Sequence, residues 1–342
     1  MASSGARRDR VRAAGNRSVS GAQFFADVKA RARTQASSCR AKLDELERPE
    51  CVVIASDGIW TSDLRGGLAH VREHGNPELL GHGIGEPNGF SRRADGSFVV
   101  AGIGDGAVHL ILPDGRTHTL LESYDGKRLG AVNYACADGP ERIWVSVMTR
   151  KSHWSEALRA EQPDGYILRL DGADTAPQIV ADGLGLTNEV KVSPDGRHLY
   201  AVETLYARLV RFVIRSDGTL GPKETVGPDN LGRGALPDGF SFDRHGNIWV
   251  TMISENGILV IDTRGDVHRL YRDANEPALE VLARGIETRT GEVDHLVACA
   301  EVNGPLRLPT SLAFGGADGR TCFVGSLGLT HLASFRLQAE LI

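Results

Sequence analysis

The 342-residue sequence contains no run of eighteen apolar residues, so no membrane-spanning helix is expected. Its cysteines (Cys39, Cys51, Cys136, Cys299 and Cys322) are scattered, odd in number and form no CxxC pair. That argues against both a zinc site and a disulfide framework. Neither sign of charge dominates: 39 basic residues against 44 acidic ones leave a net charge of -5. No nucleic-acid partner is therefore expected from electrostatics. Residues 1–20 hold five arginines and one aspartate but no apolar stretch, which excludes a secretory signal there. A reducing, cytoplasmic setting is the expectation these absences leave.

Glycine, by contrast, is plentiful at 41 residues, and much of it punctuates a repeat. A polar residue opens a strand-like run at Glu50, Asn88, Asn133, Asn188, Asp238 and Thr310. Five of these runs reach a glycine turn at nearly fixed offset: Asp57-Gly58, Asp95-Gly96, Asp195-Gly196, His245-Gly246 and Asp318-Gly319. In the remaining one the turn, Asp138-Gly139, comes slightly early. Asp-Gly supplies the positive backbone angles of a tight hairpin. Second strands follow, such as Ile143-Trp144-Val145 and Ile248-Trp249-Val250, then third and weaker fourth strands. Four short strands per repeat of about 40–50 residues predict an all-β, six-bladed β-propeller over 41–342. A β-sandwich has no reason to place a polar residue before every first strand. The sixth repeat offers only three strands, so 41–46 is expected to supply the fourth and close the ring. Residues 21–40 read as a short N-terminal helix with Phe24, Phe25 and Val28 on one face, and 1–20 as a mobile basic tail.

In such a ring the first strands line the central channel, and the residues just before them meet at one end. That end is furnished with oxygen alone: two carboxylates, three amides and a hydroxyl, with no histidine or cysteine. Any one of them could merely cap a strand or turn. Glu50, Asn133, Asn188 and Asp238, at equivalent places in four repeats, favour a hard divalent cation, and Ca²⁺ tolerates the irregular geometry that separate blades impose. A dication would also offset two carboxylates facing each other in a confined channel.

The stretches Arg48-Pro49-Glu50-Cys51, Thr187-Asn188-Glu189-Val190, Pro237-Asp238-Gly239-Phe240 and Thr310-Ser311-Leu312-Ala313 resemble the regucalcin/gluconolactonase family of six-bladed propellers. The resemblance runs from about residue 47 to the end. It implies a divalent ion, usually calcium, held by Glu50, Asn133, Asn188 and Asp238, with Asp238 also the catalytic base or nucleophile. It implies chiefly lactone hydrolysis. Sugar-lactonase members carry an arginine two residues before the third-blade asparagine; Ala131 stands there, which points to a less polar lactone or ester. Asn88 has no family role and is expected to contact substrate or a water on the ion.

Two segments interrupt the repeat on the same face: 151–163 and 274–308, the latter helical near 277–284. They are expected to cover the channel mouth as lids. Arg150, His153, Trp154, Glu203 and Tyr206, with Thr310, are the candidate substrate-binding wall. The expected function is metal-dependent hydrolysis of a small-molecule lactone or related ester. A non-hydrolytic biosynthetic reaction, as in strictosidine-synthase-like propellers, is the alternative on the same scaffold.

Overall fold

The computed structural model describes residues 46–71, 76–172 and 175–337. The expected tail (1–20), helix (21–40) and all but the last residue of the closing strand (41–46) lie outside the described residues. Within them the protein is all-β with few helices. Six antiparallel meanders follow one another, five of four strands and the last of three, each keeping sequence order. Two of them, 87–121 and 132–184, are joined by one parallel bridge between Gly89 and Tyr134. Tyr134 comes so close that a side chain at 89 would collide with its ring.

The first strands of the sheets are Val52–Ala55, Pro87–Arg92, Val132–Asp138, Thr187–Val192, Pro237–Phe242 and Pro309–Gly315. Each packs against the first strand of the next sheet, and Pro309–Gly315 packs against Val52–Ala55. The result is a propeller-like ring. At the seam between last and first sheets, the Ser326 amide donates to Pro49 O (2.7 Å), the Thr310 hydroxyl to Glu50 O (2.6 Å), and the Leu46 amide to Thr330 O (3.0 Å).

The recurring sequence signals have local causes. In three sheets a tryptophan on the second strand donates its indole N–H to the aspartate beside the hairpin. The pairs are Trp60 to Asp57, Trp144 to Asp138 and Trp249 to Asp243, at 3.0–3.1 Å. Trp144, Trp249, Phe90, Phe98 and Phe240 are fully buried, and such aromatics each bury more apolar area than an aliphatic side chain.

Over one end of the channel lie the 3₁₀ turn Trp154–Arg159, the helix Glu276–Glu287 and the short helix Val293–Ala298. Asn275 caps the longer helix by accepting from the Ala278 amide, and Pro277 stands in its first turn, where a missing N–H costs nothing. Its buried face, Leu279, Leu282 and Ala283, turns inward; Leu282 joins Leu296, Cys299, Leu236, Ile253 and Leu308 in one cluster. Among the described residues no helix is long and apolar enough to cross a membrane.

Candidate functional site

Five of the six ring residues reach the channel through a shared backbone irregularity, and Glu50 stands just before its strand. In five sheets the pairing register breaks where the ring residue sits: between Pro87 and Phe90, Val132 and Tyr134, Thr187 and Val190, Pro237 and Phe240, and Pro309 and Leu312. A bulge frees a residue from the ladder and re-aims its side chain. Before it, four of the chain entries use a left-handed turn, at Arg48, Glu86, Leu186 and Leu308, with φ of 47–54°.

Glu50, Asn88, Asn133, Asn188, Asp238 and Thr310 thereby converge on one cavity of about 40 Å³, large enough for an ion with a water or two. All six are buried. The amides are oriented by their nitrogens. Asn133 Nδ2 donates to Met148 Sδ (3.4 Å) and Asn188 Nδ2 to Thr204 Oγ1 (3.2 Å), whose hydroxyl in turn donates to Pro237 O (2.7 Å). Glu50 Oε2, Asn133 Oδ1, Asn188 Oδ1 and Asp238 Oδ1 are buried with no hydrogen-bond partner. Leaving a buried acceptor unmet costs about 1–3 kcal/mol, so four converging in one small cavity mark it as a site for a ligand that accepts their lone pairs. This donor set fits a hard divalent ion. Among the described residues no three His, Cys, Asp or Glu side chains gather in a site of their own; here amides complete the set.

Electrostatics agree with that need. Burial pushes the Glu50 carboxyl up to about 7, the Arg48 charge pulling against it and Glu189 adding to the rise. Asp238 is driven well above the usual carboxylate range, first by burial and then by the charges of Glu50 and Glu189; the Asn188 hydrogen bond and Arg48 oppose. Two such carboxyls do not both ionise in a dry cavity unless a positive charge joins them.

Apart from Arg48 and Thr204, the rest of the lining is apolar: Ile103, Met148, Trp154, Leu158, Leu186, Leu236, Ile253, Leu296 and Leu327. Trp154 and Leu158 come from the 151–163 segment and Leu296 from 274–308. The other wall candidates lie elsewhere. Arg150 is exposed, forked onto Asp182 (2.9 Å to each oxygen) and stacked on Tyr166. His153 caps the 3₁₀ turn, its Nδ1 2.8 Å from Ser155 Oγ. Glu203 is fully buried but pairs with Arg208 (2.7 Å) and Lys223 (3.2 Å) away from the cavity. Tyr206 lies at the surface under the Arg208 guanidinium. Two ring members are engaged within the protein: Thr310 donates its hydroxyl to Glu50 O, and Asn88 Nδ2 donates to Asn133 O (3.0 Å).

Sequence reasoning passed over Arg48. Its guanidinium donates to Pro87 O (3.2 Å) and Asn88 Oδ1 (2.9 Å) and lines the cavity. The signal was its register: it stands two residues before Glu50, the position that Ala131 holds before Asn133. Also missed was the floor. Lys191 Nζ donates to Glu189 Oε2 (2.6 Å) and Phe240 O (2.5 Å), and Glu189 Oε2 accepts the Phe240 amide (3.0 Å). This pair lies between the oxygen ring and the cavity at the other end of the channel, which Lys191 lines.

The family described as "SMP-30/Gluconolactonase/LRE-like region" matches residues 48–278, more than half of the chain. A 6-deoxy-6-sulfogluconolactonase of Pseudomonas putida is 24% identical over 281 residues, covering 81% of this chain and 82% of the relative. Among solved structures, a gluconolactonase from Xanthomonas campestris superposes with a TM-score of 0.63 at 22% identity, over 86% of this chain and 88% of that one. A calcium-binding regucalcin from Agrobacterium tumefaciens gives 0.57 at 19% identity, over 83% of each chain. At such identities the structural likenesses speak for the fold alone.

Proposed function

This chain belongs to the SMP-30/gluconolactonase/LRE-like family, and from that premise we propose that it is a divalent-metal-dependent hydrolase of a lactone or related ester. We read its described sheets as the six blades of a propeller, with Leu46 joined to Thr330 at the seam. The observation that carries the function is the set of four unpartnered oxygens on Glu50, Asn133, Asn188 and Asp238 in one cavity. Those residues hold the ion, most readily Ca²⁺, the metal of the regucalcin relative. Bound there, it would polarise the substrate carbonyl and keep both carboxylates ionised.

Asp238 then works as base or nucleophile. As base it takes a proton from the attacking water, whose oxygen bonds to the carbonyl carbon. The ester carbon–oxygen bond breaks, and the leaving oxygen receives the proton. As nucleophile its own oxygen bonds to the carbonyl carbon while the ester carbon–oxygen bond breaks and the leaving oxygen takes a proton from water; a second water then attacks the Asp238 carboxyl carbon of the resulting anhydride and releases the acid. A single turnover in ¹⁸O-water separates them: the label enters the product in the first case, and an Asp238 oxygen enters it in the second. The apolar roof excludes bulk water and, with Ala131 in place of an arginine, favours a less polar ring over a sugar lactone. Because the cavity is ion-sized, the roof segments carrying Trp154 and Leu296 act as lids that move to admit substrate.

Proton release from aliphatic, aromatic and sugar lactones, with and without chelator, tests the reading. Chelator-sensitive opening that is lost in Asp238→Asn supports it. Metal held tightly with no lactone or ester opened would shift the assignment to non-hydrolytic chemistry, which the same dry roof would suit.

A further inference from the structure

We infer that Arg48 is a substrate-specificity residue, and that the molecule this cavity takes carries a carboxylate close to its reacting carbonyl. The inference rests on the metal-dependent reading above and names the class of ligand for that site.

Register makes Arg48 an exception. The residues two places before the ring positions are Arg48, Glu86, Ala131, Leu186, Leu236 and Leu308. Leu186 and Leu236 line the cavity, as Arg48 does. Where two sheets present leucine, the first presents a guanidinium, and it is the one cationic side chain of the lining. It is held but not neutralised. Its hydrogen bonds go to two uncharged acceptors, Pro87 O and Asn88 Oδ1. Among the described residues it forms no ion pair. Asn88 is itself fixed, its nitrogen donating to Asn133 O. Two of five guanidinium N–H groups are thus used to aim the fork, and the others remain for a ligand.

Charge balance points the same way. Glu50 and Asp238 contribute two negative charges and a bound dication two positive ones. Arg48 is left as the uncompensated charge beside an apolar roof. A half-buried guanidinium in such surroundings is stabilised by a planar anion that it can grip with two parallel hydrogen bonds. A carboxylate meets that geometry and brings the cavity to neutrality. A wholly neutral lactone would leave the excess charge in place.

The test uses the full-length, Ca²⁺-loaded protein and a pair of ring compounds that cannot be hydrolysed, tetrahydrofuran-2-carboxylate and tetrahydrofuran-2-carboxamide. Isothermal titration should show the carboxylate binding at least about tenfold more tightly than the amide, the scale of a charge-assisted fork. In Arg48→Gln the preference should fall to within about twofold, and Arg48→Lys should keep an intermediate preference. Asn88→Asp provides an independent route: a carboxylate placed against the guanidinium should quench the preference with Arg48 still present. No preference in the wild type overturns the inference. So does a preference that survives unchanged in Arg48→Gln or Asn88→Asp, because the carboxylate would then be gripping the ion. The binding arms stand apart from catalysis. Carboxylate preference without turnover of any lactone would retain Arg48's role and remove the hydrolase reading; lactone opening without preference would do the reverse.

Discussion

The central channel has two mouths, and the larger one is chemically the quieter. The wide mouth opens into a cavity of about 720 Å³ between the hairpin ends of the inner strands. Several of its polar side chains are already matched. Arg92 pairs with Asp57 and lies over the rings of Trp60 and Phe98, while Ser91 donates to Ala135 O and accepts from the Ala137 amide. The narrow mouth is about eighteen times smaller, 40 Å³ against 720 Å³, yet four of its oxygens lack partners. Asp105, Ser146 and Thr187 also leave an oxygen unpartnered, but singly and outside this cavity. Volume locates space; convergent unmet acceptors locate chemistry. Between the mouths stands the Lys191–Glu189 pair.

The contrast is broken most severely at Asp238. Asp238→Asn should lower lactone opening by at least about a thousandfold in a folded protein, the scale for losing a catalytic base with its charge; near-normal turnover would return the two mouths to equal standing. The next largest effect falls on that pair. Lys191→Met strands the buried Glu189 carboxylate, and urea denaturation should register a loss of about 4 kcal/mol. A variant as stable as wild type would show that the pair does not hold the fold together.

A third measurement concerns protons. In metal-free protein the Glu50 carboxyl titrates near 7 in the folded state, against 4.5 ordinarily, and Asp238 is shifted in the same direction. Between those values the folded chain binds more protons than the unfolded one. Stability should therefore decline as pH rises from 4.5 to 7, by about 3 kcal/mol for Glu50. Saturating Ca²⁺ should abolish the decline. Melting temperatures across this window, with chelator and with Ca²⁺, decide the matter, and parallel curves would count against a cation in the ring. The smallest effect sharpens the comparison from the other side: Arg92→Ala, at the wide mouth, should leave lactone turnover within about twofold of wild type.

The oxygen ring was legible because a strand period, a turn signal and a polar residue recur together; six weak signals at one register make a strong one. Its neighbours were not, for physical reasons. Glu203 ends a second strand and so resembles a channel residue, but Arg208 lies directly across the ladder and Lys223 beyond it, and these draw the carboxylate away. Arg150 likewise found Asp182 and the Tyr166 ring before it could reach the mouth. Both outcomes depend on partners in adjacent strands, which no single repeat displays. Arg48 was hidden differently. It looked like a flanking residue until the left-handed turn at 48 set its side chain beside Asn88. The Glu189–Lys191 pair, two residues apart on one strand, read as ordinary alternation; only closure of the ring makes that face an interior.

The four unmet oxygens belong to residues 50, 133, 188 and 238, so no two of them stand fewer than 50 positions apart. Each comes from a different sheet, and Thr310 fastens the first of them across the seam by its bond to Glu50 O. No fragment of the unfolded chain can assemble a partial version of this centre by local contact. An ion captured here would therefore certify completed assembly: the site comes into being only when the last sheet has met the first.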